Sequence, residues 1–141
     1  EKIKINKVSS FYETPSYPNL KNPRFINIVI QIEFNFSPEN LLKKILFIEK
    51  KMERTRSLKN EPRTCDIDII DFNGLSINKN NIILPHPKAH ERSFVLLPLK
   101  EICPAWIHPI MNKKIDILIK NLNTKTRNEI TRVKENAILE K

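Results

Sequence analysis

Two aspartates stand two residues apart, just after an arginine, in Glu61-Pro62-Arg63-Thr64-Cys65-Asp66-Ile67-Asp68-Ile69-Ile70. In an extended strand, side chains at that spacing leave the same face. Asp66 and Asp68 then point together at one spot, while Ile67 and Ile69 point the other way. Paired carboxylates hold Mg²⁺ through hard oxygen ligands, usually sharing the ion with substrate phosphates. Arg63 suits phosphate oxygens, because its planar fork binds them bidentately. The stretch reads as a magnesium-assisted phosphoryl-transfer site. It also fits a plain amphipathic strand with one wet face, since Asp-x-Asp is a short pattern.

A second cluster follows in Leu84-Pro85-His86-Pro87-Lys88-Ala89-His90-Glu91-Arg92-Ser93-Phe94-Val95-Leu96-Leu97-Pro98-Leu99. His86 and Arg92 can both reach phosphate oxygens, and a hydrogen-bonded structural histidine is the other reading of His86. Zinc does not fit. His86 and His90 are four apart, but Pro87 disturbs any helix between them, and Cys103 and His108 do not complete a ligand set.

Positioning these groups needs a scaffold, and the residue pattern describes one. Ile3 and Ile5 alternate with polar residues and predict a half-buried strand ending near Phe11. Three prolines break residues 14–23 into a loop. Residues 25–34 predict the clearest strand, with Ile26, Ile28, Ile30, Ile32 and Phe34 on one face and Asn27, Gln31 and Glu33 on the other. Ser37-Pro38-Glu39 predicts a helix start, and Leu41, Leu42, Ile45, Ile48 and Met52 carry its stripe to about Arg56. Residues 57–62 predict a loop and 65–72 a strand. Asn73-Gly74 predicts a hairpin turn that folds residues 75–77 back on that strand. Residues 82–84 predict another short strand. Helices are predicted over 90–97, ended by Pro98, and over 113–122 and 128–139. Strands and helices mix without strict βαβ alternation. The expected fold is an α+β sandwich in one domain, 1–141, with a mostly antiparallel sheet.

Composition bounds the function. The chain has 141 residues, 40% hydrophobic and 29% charged, ordinary for a globular domain with a real core. No apolar run is long enough to span a bilayer, and residues 1–4 carry no signal-peptide core, so a cytoplasmic protein with no membrane partner is expected. Cys65 and Cys103 are too few for a disulfide framework. The net charge of +9 attracts polyanions, but the lysines are scattered and only 7% of residues are aromatic, so no nucleic-acid partner is expected. Gly74 is the one glycine. A glycine-rich phosphate loop is therefore excluded, and a nucleotide must be held by side chains and metal.

Taken together, Pro62-Arg63-Thr64-Cys65-Asp66-Ile67-Asp68 and the 84–99 cluster closely resemble the two signatures of the 6-hydroxymethyl-7,8-dihydropterin pyrophosphokinase family. Val8-Ser9-Ser10-Phe11-Tyr12-Glu13-Thr14-Pro15 and Phe25-Ile26-Asn27 also look like segments of that family, so the resemblance runs from about Lys7 to Pro109. It implies a ferredoxin-like α+β fold and transfer of pyrophosphate from ATP to the hydroxymethyl oxygen of the dihydropterin, releasing AMP, in folate biosynthesis. It implies Asp66 and Asp68 as ligands of two Mg²⁺ ions, with Arg54, Arg63 and Arg92 beside them in catalysis. It implies Glu49, Arg54, Arg63, His86 and Arg92 at ATP. It implies Thr14, Pro15, Phe25, Asn27 and Phe94 at the pterin, and a monomer in solution.

The family's opening strand and Gly-Ser-Asn-Leu-Gly turn have no counterpart here, so the resemblance also implies an N-terminally truncated domain. Asn60 and Glu61 stand where the family usually has an aromatic and a glycine. Leu46 stands where it has a polar residue. A non-catalytic remnant with weak nucleotide binding is the alternative these departures keep open.

Overall fold

The computed structural model describes residues 2–15, 24–54, 65–79 and 81–133. Four short strands come first: β1 (Lys4–Val8), β2 (Tyr12–Thr14), β3 (Phe25–Asn27) and β4 (Ile30–Glu33). Helix α1 (Pro38–Arg54) follows, then the pair β5 (Ile77–Lys79) and β6 (Ile82–Leu84). A 3₁₀ turn (Ala89–Glu91) leads into α2 (Ser93–Ile102). Helices α3 (Ile115–Lys120) and α4 (Thr124–Glu129) and the short β7 (Thr131–Arg132) complete the description. Every paired strand is antiparallel, in the expected α+β class.

β1 and β2 run against β4 and β3 as one interrupted ladder. Lys4 pairs with Glu33 and Ile5 with Ile32, but Lys7 pairs with Gln31, one residue out of step. A second step separates Val8, opposite Ile30, from Tyr12, opposite Asn27. Each step inserts one extra residue on the first strand, as a β-bulge does. Between the steps, Ser9 donates its amide to the Val29 carbonyl at 2.9 Å, and its hydroxyl accepts from the Val29 amide at 2.9 Å. The strand predicted over 25–34 is cut into β3 and β4, while the one predicted to end near Phe11 stops at Val8, and β2 begins beyond it and takes Thr14 from the predicted loop. Sequence alternation cannot reveal an extra residue that the partner strand does not match.

The bulged sheet turns an unexpected face to the helices. Val29 packs into the core, Gln31 donates to the Cys103 thiol at 3.6 Å, and Lys7 donates to the Ile102 carbonyl at 3.2 Å. Ile5, Ile26 and Ile30, on the apolar face, are instead 57%, 47% and 43% exposed. β1 is accordingly exposed along its length rather than half-buried. The core lies beneath the polar face: Leu96 and Leu99 of α2 meet Ile115, Leu118 and Leu122, with Val29, Ile70 and Trp106 around them.

Helix α1 starts as its sequence predicts. The Ser37 hydroxyl accepts from the Asn40 amide at 3.2 Å, and Leu41 and Ile45 are buried. Asn73 and Gly74 both take positive φ (54° and 71°), and Leu75 donates to the Phe72 carbonyl at 3.0 Å, the signature of a tight type I′ turn. The partner differs from the expected one. The returning strand is β5, and it pairs forward with β6, not back on 65–72. Residues 65–71 form no ladder, so they are not a strand. They are held by isolated bonds, such as the His86 amide to the Ile70 carbonyl at 2.9 Å.

Pro98 does not end its helix; it lies inside α2, buried. It has no amide hydrogen to give the Phe94 carbonyl, a cost that burial of Leu96, Leu99 and Ile102 on the same helix offsets. The predicted last helix is displaced. Asn123 caps α4 by accepting from the Lys125 amide at 2.8 Å, and Thr131 and Arg132 pair with Glu13 and Tyr12 as β7. Residues 16–23 of the loop predicted over 14–23, the predicted loop over 57–62 and residues 134–139 of the predicted helix lie outside the described residues. Among the described residues no helix is long and apolar enough to cross a membrane.

Leu96 is fully buried, so Leu96→Ala is expected to lower the unfolding free energy by about 2–5 kcal/mol in urea. Phe47→Lys, on a side chain 63% exposed, is expected to change it by no more than about 0.5 kcal/mol. His108 is buried, and its Nδ1 accepts from the Ile110 and Met111 amides at 3.2 and 3.0 Å. Burial, then the nearby His90, push its pKa below the usual 6.5, with Asp71 opposing. The folded state thus resists a proton that the unfolded chain accepts, and stability falls as pH drops below 6.5. His108→Asn keeps an acceptor without titrating there, and its urea midpoint is expected to fall less steeply between neutral pH and the folded-state pKa.

Candidate active site

Burial alternates along 65–69. Asp66 and Asp68 are exposed, and Cys65, Ile67 and Ile69 are half-buried. Both carboxylates thus face solvent, although no strand ladder enforces the i, i+2 geometry that the sequence predicts. Another group holds them there. The Glu49 carboxylate of α1 accepts a 2.7 Å hydrogen bond from the Ile67 amide, which lies between the two aspartates. The residue expected at ATP thus ties the long helix to the backbone between the two aspartates. Burial, then the Glu49 and Asp66 charges, push the neighbouring Cys65 thiol up, which leaves it an inert neutral group.

His86 sits against the second aspartate, with Nε2 4.0 Å from Asp68 Oδ2. Its Nδ1 accepts from the Lys88 amide at 3.1 Å, so the proton of the neutral ring is assigned to Nε2, facing the carboxylate. Burial holds the His86 pKa below its usual value; Asp68 opposes this, and Arg92 and Lys88 add to it. A neutral donor beside two cations is what this arrangement provides near pH 7. Arg92 stands immediately before α2, and its guanidinium lies 5.4 Å from the centre of the Phe94 ring. That cation–π contact joins a phosphate-binding type of group to a flat apolar one. A cavity of about 260 Å³ opens beside Asp68 and His86, walled by Leu42, Ile67, Ile69 and Ile82.

The expected pterin residues form a second group. Directly paired residues of an antiparallel ladder share a face, and so do residues two apart. Tyr12 pairs with Asn27 and Thr14 with Phe25, so these four side chains share one face. Asn27 donates to the Thr14 hydroxyl at 3.4 Å, and Pro15 follows half-buried. Phe25 is 56% exposed. Helix α2, which carries Phe94, packs over the same face. Arg54 closes α1, and its side chain lies outside the description. Arg63 also lies outside the described residues.

The donor set suits a hard cation. Among the described residues no group of three or more His, Cys, Asp or Glu side chains forms a closed cage. Two neighbouring exposed carboxylates instead match Mg²⁺, which keeps waters and takes phosphate oxygens for the rest of its shell.

Sequence reasoning missed two things. Glu49 holds a backbone amide, which no motif spacing reveals. Glu101, on the far end of α2, accepts from Ser10 and Tyr12 and has no sequence signature at all.

An exposed pair of carboxylates, a neutral imidazole that joins Asp68 at a cavity wall, and an arginine close enough to act on that imidazole thus mark this α+β domain. The chain belongs to the 7,8-dihydro-6-hydroxymethylpterin-pyrophosphokinase family, whose model matches residues 1–104. It is 41% identical over 101 residues to the 2-amino-4-hydroxy-6-hydroxymethyldihydropteridine pyrophosphokinase of Bacillus subtilis, covering 72% of this chain and 60% of that one. It is 35% identical over 121 residues to the Synechocystis protein of the same name, covering 86% and 62%. A 40% match over 108 residues to the folic acid synthesis protein FOL1 of Dictyostelium discoideum covers 77% of this chain and 16% of that longer protein.

The Glu49 bond gives a direct test. Glu49→Ala strands the Ile67 amide and is expected to cost about 1–3 kcal/mol in urea unfolding. Glu49→Gln keeps a carbonyl acceptor and is expected to cost clearly less.

Proposed function

We propose that the protein transfers the terminal pyrophosphoryl group of ATP to the hydroxymethyl oxygen of 6-hydroxymethyl-7,8-dihydropterin, in folate biosynthesis. The observation that carries this reading is the pairing of Asp68 with His86 at one cavity, with the Arg92 charge acting on that imidazole, in a chain of this family. In the reaction a bond forms between the pterin oxygen and the β-phosphorus of ATP. The bond from that phosphorus to the α,β-bridging oxygen breaks, the hydroxymethyl proton leaves, and AMP departs.

Asp66 and Asp68 would hold two Mg²⁺ ions against the phosphates. The ions, when bound, neutralise charge on the transferred group and align nucleophile with leaving group. Neutral His86 offers an Nε2–H donor to a phosphate oxygen without needing protonation. Arg92 clamps the phosphates, and Phe94, held by Arg92, offers a surface for the flat pterin. Arg54 and Arg63 would also bind phosphate, as the family resemblance implies. The Asn27 amide can both donate to and accept from the pterin edge, beside Thr14, Pro15 and Phe25. The apolar cavity wall suits the nucleotide base, and Glu49 holds the backbone between the two aspartates. The same reading describes a cytoplasmic monomer, a single domain whose scattered lysines serve no nucleic-acid partner.

The test is AMP formation from ATP and Mg²⁺ in the presence of the dihydropterin. Asp66→Ala and Asp68→Ala are each expected to lower it by at least about a hundredfold, as for loss of a charge-stabilising group. Near-full activity in either variant would contradict the metal assignment.

A further inference from the structure

Glu101 lies on α2, two helical turns after Phe94 and on the same stripe. Its carboxylate collects three donors from the strand side. Oε2 accepts from the Ser10 amide at 2.8 Å and the Ser10 hydroxyl at 2.9 Å, and Oε1 accepts from the Tyr12 hydroxyl at 2.7 Å. The Arg132 guanidinium of β7 stands 3.9 Å away. Burial works against the carboxylate's charge, but the bonds from Tyr12 and Ser10 hold its pKa below the ordinary range. Burial, then the bond to Glu101, push the Tyr12 hydroxyl up to about 12. The Tyr12 ring is buried, so its hydroxyl meets Glu101 from a fixed position in a half-buried bond.

The place of this strut in the ladder gives it a consequence. Ser10 lies at the second bulge, where the pairing steps by one residue. A one-residue slip there would turn Tyr12 and Thr14 to the opposite face. Tyr12 is the residue opposite Asn27, and Asn27 bonds Thr14. One carboxylate therefore grips the bulge and the strand beyond it, from the helix that carries Phe94.

We propose that Glu101 is the positioning residue of the dihydropterin half of the site: through Ser10 and Tyr12 it ties β2 to α2 and sets the spacing between Thr14 and Asn27 on the sheet and Phe94 on the helix. This rests on the pyrophosphokinase reading above. Glu101 touches neither substrate in this account, and it lies away from the Asp66, Asp68 and His86 group, so its loss acts on one substrate only.

The experiment compares steady-state KM values for both substrates in the parent chain, Glu101→Ala, Glu101→Gln and Tyr12→Phe. Ile115→Val, in the core under α3, serves as the purely structural comparison. Glu101→Ala is expected to raise the dihydropterin KM about tenfold with the ATP KM unchanged, the pattern of lost binding to one substrate. Glu101→Gln, which keeps one acceptor, is expected to fall between it and the parent. Ile115→Val is expected to move neither KM. Should Glu101→Ala fail to fold, Tyr12→Phe deletes a single hydroxyl and is expected to shift the same KM alone, by less. An unchanged dihydropterin KM in the folded variants, or equal rises for both substrates, overturns the strut. A parent chain with no dihydropterin-dependent AMP overturns the pyrophosphokinase reading itself, and is told apart because it appears before any substitution.

Discussion

The packing of α2 between the sheet and α3 sets where the rest of the site can stand. Leu96 and Leu99 lock the helix to Ile115 and Leu118, and Val29 reaches the same cluster from the sheet. Each such side chain stabilises by about 1.5–3 kcal/mol when fully removed from water. One end of α2 then delivers Arg92 and Phe94, and the other delivers Glu101 to Ser10 and Tyr12. Pro98 sits between these ends, buried against the core. A helix held only at one point would let the two halves of the site drift apart. Contacts at both ends make the spacing a property of the fold.

The electrostatics of the phosphate half follow from who is buried and who is not. The aspartates stay exposed, where water or a cation can reach them, while their backbone is pinned by Glu49. His86 is mostly covered, which favours its neutral form, and the Lys88 amide fixes the side of the ring that carries the proton. On the pyrophosphokinase reading, anionic phosphate would thus meet cations, a neutral donor and two exposed carboxylates without a glycine-rich loop. That agrees with a chain holding one glycine, spent on the Asn73-Gly74 turn.

Local chemistry was the legible part of the sequence. The Ser37 cap, the α1 stripe, the Asn73-Gly74 turn and the exposure of Asp66 and Asp68 all follow from short-range rules, and they appear as expected. What depends on a distant partner did not show. The two bulges arise from a mismatch between strands twenty residues apart. The choice of the Asn27–Val29–Gln31 face for the core depends on where α2 lands, not on which face is more apolar. Pro98 reads as a helix stop until its burial is known. Glu49 and Glu101 are ordinary glutamates in sequence, and only their tertiary bonds mark them out.

The central claim is a pyrophosphoryl transfer that requires the pterin, and the identity of the nucleotide product tests it most directly. The chain is incubated with ATP and Mg²⁺, with and without 6-hydroxymethyl-7,8-dihydropterin, and the products are followed by ³¹P NMR. The account predicts AMP and a pterin diphosphate in equal amounts, formed only when the pterin is present. ADP as the product, or nucleotide turnover indifferent to the pterin, would contradict it.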